Sequence, residues 1–192
     1  MREDRRELKA GIDAFIHAVE TDDDASFDTA MEALRWHPDR RLGWRQIVRR
    51  ISTVHPNFRI WFAHFWKKDG EALRDAVDDD LVLIDLLRCL LPPYTGPAVE
   101  LFRGDYASNR RHRTYGVAWS SDRSIATDFA TNRIRLMPGK KSVLLRTLAP
   151  PAAIICSPHE LGVAAHSVEA EYIVDRRRLN GVTVLERFTT AD

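Results

Sequence analysis

The chain has almost no cysteine: Cys89 and Cys156 are its two thiols in 192 residues. Both lie in apolar runs, Leu87-Arg88-Cys89-Leu90-Leu91 and Ile154-Ile155-Cys156, the usual setting of buried free thiols, so no disulfide framework is expected. Long apolar runs are missing too, and nothing approaches the roughly 20 residues needed to span a bilayer. The mixed-charge start, Met1-Arg2-Glu3-Asp4-Arg5-Arg6-Glu7, is not followed by the apolar block of a signal peptide. A cytoplasmic protein without a membrane partner is the expectation. Net charge is nearly absent, with Lys+Arg 29 against Asp+Glu 28, so no overall field calls for a nucleic acid or an anionic membrane. Glycine-rich nucleotide loops are also lacking. Gly139-Lys140-Lys141-Ser142 has no upstream glycine of a phosphate loop, and no strand is followed by Gly-x-Gly-x-x-Gly. His159-Glu160-Leu161-Gly162-Val163 carries valine where a second zinc-binding histidine would stand, so no metal site is expected. There is no Gly-x-Ser-x-Gly elbow.

What is present suits one globular domain or two small lobes: 44% of residues are hydrophobic and 30% charged. The charge is uneven, with 15 basic and 19 acidic side chains in residues 1–100 and 14 against 9 in residues 101–192. That leaves a modest positive excess in the half where a phosphate-bearing ligand would fit. Up to Pro92-Pro93-Tyr94-Thr95-Gly96-Pro97, apolar residues recur at helical spacing: Leu8, Ile12, Phe15, Ile16, Val19; Phe27, Ala30, Met31, Leu34; Trp44, Ile47, Val48, Ile51; Phe58, Trp61, Phe62, Phe65, Trp66. Asp78-Asp79-Asp80 offers capping oxygens to a further helix from about Leu81, which Pro92 ends. The tryptophans of this part, Trp36, Trp44, Trp61 and Trp66, read as core or interface anchors before they read as a ligand cage.

After Pro97 the pattern turns to strands: Ala98–Phe102, Gly116–Trp119, Ser142–Leu148, Ala152–Cys156, Tyr172–Val174 and Val182–Phe188. One helix, Asp122–Ala130, interrupts them, with Ser121 or Asp122 as its cap. The connection from Ser157 to Val168 has no period, and loops of that length within a compact domain tend to be functional. Residues 1–93 thus read as a helical lobe and 97–192 as a β core.

Three segments of the β core carry chemistry. They are Leu101-Phe102-Arg103-Gly104, then Ala118-Trp119-Ser120-Ser121-Asp122-Arg123-Ser124-Ile125-Ala126-Thr127-Asp128-Phe129, then Glu169-Ala170-Glu171-Tyr172-Ile173-Val174. In order and spacing this set resembles the Arg, Ser-Thr-Ser and Glu-x-Glu motifs of ADP-ribosyltransferases of the arginine-serine-glutamate class, over about residues 97–190. The resemblance implies an α+β chain with an N-terminal helical lobe and a split β-sandwich core that binds NAD as substrate. It further implies transfer of ADP-ribose to an acceptor, a protein arginine in preference to a nucleic acid, or hydrolysis of NAD when no acceptor is present. Such proteins commonly serve as toxins or effectors, so delivery into another cell is compatible with this reading.

By the same resemblance Glu171 meets the oxocarbenium-like ribose left when nicotinamide departs, a charge that a carboxylate stabilises. Glu169 would accept hydrogen bonds from an incoming guanidinium and help it lose a proton. Arg103 would hold an NAD phosphate or its adjoining ribose, and Gly104 would meet the nicotinamide amide with its backbone. Trp119, Ser121 and Phe129 fall on the NAD side of the motifs, although plain core packing is an equal reading of Phe129. The chain departs from the pattern at the first motif serine, which falls on Ala118. Loss of that hydroxyl weakens transfer unless Ser120, on the same strand face by alternation, takes its place. Two other readings stay open: a silent module that binds NAD or ADP-ribose, and an interaction protein docking through its Trp-rich lobe. Arg110-Arg111-His112-Arg113 reads as a solvated basic loop, or as a contact for the adenosine phosphates or a nucleic acid. Arg176-Arg177-Arg178 reads as a solvated turn. His17, His37, His55, His64 and His166 have no assignable partners.

Overall fold

The computed structural model describes residues 2–137, 139–162 and 171–189. The chain divides into two compact units, Met1–Pro92 and Pro93–Asp192. Its class is α+β, with seven α-helices and one six-stranded antiparallel sheet among the described residues.

The first unit is helical: α1 (Arg2–Thr21), α2 (Asp24–Arg35), α3 (Arg40–Arg50), α4 (Pro56–Val77) and α5 (Asp80–Leu90). The apolar stripes meet in an aromatic core, in which Phe15 packs edge-on to Trp44 at 5.1 Å and Phe27 edge-on to Trp61 at 4.8 Å. Trp44 is fully buried and donates its indole N–H to the Ala76 carbonyl at 3.0 Å. The aspartate run caps α5 as expected, Asp79 accepting from the amides of Leu81 and Val82. The same run holds α3: Arg40 and Arg41 bind Asp78 at 2.6 and 2.9 Å, and Arg45 binds Asp79 at 2.8 Å. His37 has its partners after all, the Asp4 carbonyl and the Asp39 amide, and His55 caps α4 by accepting from Asn57. Trp36 corrects the anchor reading. It follows the last turn of α2 and is 79% exposed, with the Arg35 guanidinium lying over its ring.

The second unit contains β1 (Val99–Tyr106), α6 (Ala107–His112), β2 (Ala118–Ser120), α7 (Arg123–Leu136), β3 (Ser142–Ala149), β4 (Ile154–Cys156), β5 (Glu171–Val174) and β6 (Thr183–Phe188). Strand order is β4-β5-β2-β1-β3-β6. The β1–β3 ladder is continuous from Val99 opposite Ala149 to Tyr106 opposite Ser142, whereas β1 and β2 are joined through the single pair Phe102–Ser120. One face of the sheet carries a core of Leu101, Tyr115, Trp119, Val143, Leu145 and Val174. On the other face α7 packs on Phe102 and Leu144 through Ala126. This helix comes so close to β1 at Gly104 that a Cβ there would run into the Ala126 carbonyl and the Ala130 amide. Asp122 is the N-cap of α7, accepting from Ser124 at 2.7 Å, and the helix runs six residues past the expected end at Ala130. A helix, α6, stands where a basic loop is expected.

Candidate functional site

The three motifs converge on adjacent strands. Arg103 and Gly104 lie on β1, Ser120 ends β2, and Glu171 begins β5, so the motif strands are the central run β5-β2-β1. Glu171 is directly opposite Ser120, and Ser120 is directly opposite Phe102. Opposed residues share a sheet face, and Phe102 belongs to the face under α7, so Ser120 and Glu171 face that side as well. Their Cβ atoms are about 4.5–5.5 Å apart on ordinary antiparallel geometry, within reach of a hydroxyl-to-carboxylate hydrogen bond. Ser120 is 8% exposed, and its Oγ accepts the Asp122 amide at 3.0 Å, which fixes its rotamer at the start of α7. Ala118 is opposite Ile173, not a carboxylate. The hydroxyl facing Glu171 is therefore that of Ser120.

Phe129 is 59% exposed and so is not a core residue. Its side of α7 follows from helix geometry. Arg123 reaches over to Glu186 of β6, and Phe129 lies about 120° round the helix from Arg123, across the Ala126–Ala130 stripe that packs on the sheet. Phe129 accordingly projects from the opposite flank, toward the β2–β5 half that carries Ser120 and Glu171. Ser121 is exposed at the strand-to-helix turn that precedes α7.

Trp119 and Arg103 are placed otherwise than expected, and Gly104 has a packing reason of its own. Trp119 is 1% exposed on the opposite face, edge-on to Tyr115 and donating to the Gly116 carbonyl at 3.2 Å, so it is a core residue that faces away from Ser120 and Glu171. Alternation explains this: the neighbour of Ser120 must face away from Glu171. Arg103 is a clasp between strands. Its Nε donates to Asp105 at 2.6 Å, its Nη1 donates to the Ala118 carbonyl, and its Nη2 lies where a side chain on Gly116 would be. With 11% of the side chain exposed, little of the guanidinium faces solvent. Gly104 is required first by the close approach of α7.

Asp105 is the important residue that motif reasoning missed, although an Arg-x-Asp spacing on a strand places both side chains on one face. It is fully buried. Burial pushes its carboxyl up, but the Arg103 charge beside it, with hydrogen bonds from Arg103, Asn109 and the Tyr106 amide, holds it below the ordinary carboxylate value.

The connection that follows β4 is anchored at its start. Glu160 accepts from the Ser157 amide at 2.9 Å and from the Ser157 hydroxyl, and Leu161 is 1% exposed. Burial, with the Glu160 charge as a lesser cause, pushes the Tyr172 hydroxyl up. Glu169, His166 and the rest of the connection to Val168 lie outside the described residues.

No protein-family model matches this chain, and no curated protein or solved structure matches it. Among the described residues no helix is long and apolar enough to cross a membrane.

Proposed function

We propose that the second unit binds NAD and transfers ADP-ribose from it to an acceptor, a protein arginine in preference to other groups, with hydrolysis of NAD as a side reaction. The observation that carries this reading is the row Phe102–Ser120–Glu171, which joins three sequence-distant motifs across neighbouring strands. In this reading the bond between nicotinamide and ribose C1′ breaks, its electron pair leaving with nicotinamide. Glu171 stabilises the positive ribose, and an acceptor guanidinium nitrogen then bonds to C1′ as its proton passes to Glu169. Ser120 donates to Glu171 and holds it, supplying the hydroxyl that Ala118 lacks. The exposed ring of Phe129 offers nicotinamide a flat apolar wall. Arg103 contributes by clasping β1 to β2 beneath the ligand. The split-sandwich form of the core belongs to the same proposal. Its support is the single-pair join of β1 and β2, which divides the sheet into the halves β4-β5-β2 and β1-β3-β6.

A silent NAD-binding module is the second reading. Ala118 favours it; the placement of Ser120 opposite Glu171 weighs against it.

Incubation with labelled NAD and a cell lysate, beside a Glu171→Gln variant, tests the proposal. Label transfer or nicotinamide release by the parent and its loss in the variant is the expected result; neither activity in the parent, or both unchanged in the variant, rejects it. Glu169→Gln should cost arginine transfer far more than hydrolysis.

A further inference from the structure

We propose that the end of the sheet where β1 and β5 finish and β3 begins is a docking surface for a nucleic acid, held through its phosphates. Three connections meet there. Arg176 Nη1 donates to the Tyr115 carbonyl at 2.8 Å, which joins the turn after β5 to the segment before β2. The Ala107 amide donates to the Lys141 carbonyl at 2.9 Å, and Arg133 and Lys140 each lie 5.1 Å from the centre of the Tyr106 ring. These tethers bring α6, the C-terminal turn of α7, the approach to β3 and the turn after β5 to one end of the unit.

The charge left unpaired by carboxylates at that end is positive. Arg111, Arg113, Arg135, Lys140, Lys141 and Arg178 are all exposed. From Tyr106 to Ser121, and again from Phe129 to His159, the sequence contains no carboxylate. Of the described carboxylates at this end, Asp105 and Asp175 are 0% exposed and bonded to arginine, and Glu186, opposite Leu144 near the end of β6, is held by Arg123. The arginines of α3 differ, because Asp78, Asp79 and Asp13 neutralise most of them. The near-zero net charge of the whole chain hides this separation.

A nucleic acid fits better than an acidic protein. Arginine outnumbers lysine, and its planar fork matches phosphate oxygens. A protein partner would need an apolar, charge-poor centre, whereas nucleic-acid interfaces are polar and strongly cationic. Exposed side chains from Arg111 to Thr114 are all polar or charged, and the apolar Leu136 and Met137 are confined to the end of α7. The surface begins four residues along β5 from Glu171, a distance of about 13 Å.

Fluorescence anisotropy of a short labelled single-stranded RNA, titrated with the full chain in the absence of NAD, tests this independently of the transfer chemistry. Saturable binding that falls steeply with added KCl is expected, and Arg111→Glu with Arg113→Glu and Lys141→Glu should weaken it about tenfold or more. The same charge change placed on exposed residues of the first unit, Arg5→Glu with Arg6→Glu and Arg49→Glu, should leave binding nearly unchanged. Circular dichroism checks that each variant is folded, and the corresponding glutamine substitutions replace the first set if reversal of charge prevents folding. Absence of saturable binding at low salt, equal loss in both sets, or equally tight binding of labelled polyglutamate would overturn the proposal.

Discussion

Ser120 and Glu171 are paired directly across β2 and β5, on the sheet face that α7 covers, while Ala118 two residues earlier is paired with Ile173. The hydroxyl and the carboxylate are neighbours because of strand register. If Glu171 acts on NAD as proposed, Ser120→Ala should therefore lower nicotinamide release about 10- to 100-fold, the worth of one hydrogen bond to a charged group. Ala118→Ser should restore nothing to that variant, since its hydroxyl would meet an isoleucine. A discontinuous nicotinamide assay on the two single variants and the double variant decides the matter; rescue by Ala118→Ser would mean that the register is not the functional one.

The proposed ligand role of Phe129 can be tested apart from stability. Because the ring is mostly exposed, Phe129→Ala should change unfolding free energy by no more than about 0.5 kcal/mol, the ordinary range of surface substitutions. If the ring is the nicotinamide wall, KM for NAD rises in the same variant. Urea titration and NAD kinetics together report both, and a large loss of stability would make Phe129 a packing residue.

At Gly104 the backbone of α7 leaves no room for a side chain. Gly104→Ala should destabilise the second unit by about 1–3 kcal/mol, the usual cost of overpacking, because the obstructing atoms are main chain and cannot rotate away. Thermal unfolding of the variant measures the effect. An unchanged melting temperature would show that α7 lifts off β1 easily.

The Arg103–Asp105 pair gives stability a pH dependence. A carboxyl held below its ordinary value stabilises the folded state fully above the unfolded pKa, near about 3.9, and that contribution is lost as pH falls through the folded value. Asp105→Asn should flatten this part of the acid-unfolding profile. It should also destabilise the unit at neutral pH by about 3–5 kcal/mol, since the mostly buried Arg103 charge loses its partner. Equilibrium urea unfolding between neutral and acid pH distinguishes this from a surface pair, which would alter neither.

Cys156 is buried, and burial followed by the nearby Glu160 charge pushes its thiol up to about 12. Cys89 is only partly buried. In the native protein a thiol-exchange reagent should modify Cys89 well before Cys156, which should react at the rate of unfolding. Peptide mapping after brief labelling checks the order, and equal rates would contradict the burial of β4.

Much of this architecture can be read from residue order because it is local. Helical apolar spacing marks α1 to α5, and short acidic side chains mark the caps at Asp79 and Asp122. The helix α6 is not legible: Ala-Ser-Asn-Arg-Arg-His has no apolar stripe, its tie to Asp105 through Asn109 depends on that aspartate being buried at the end of β1, and its tie to Lys141 through Ala107 is tertiary. The motifs identify which residues gather at the sheet centre but not which way they face. Trp119 is turned into the core and Arg103 into a clasp because neighbours on a strand alternate and the guanidinium finds Asp105 two residues on. Trp36 belongs to an apolar set by type, but it follows the end of α2 and projects outward.

The one-pair join between β1 and β2 has a consequence for how the protein breathes. Few ladder bonds tie Ala118–Ser120 and Glu171–Val174 to the long β1–β3 ladder, so the two halves of the sheet can part locally while that ladder stays shut. Amide hydrogen exchange should then be faster in β2 and β5 than in β3, so that the strands carrying Ser120 and Glu171 open before the β1–β3 ladder.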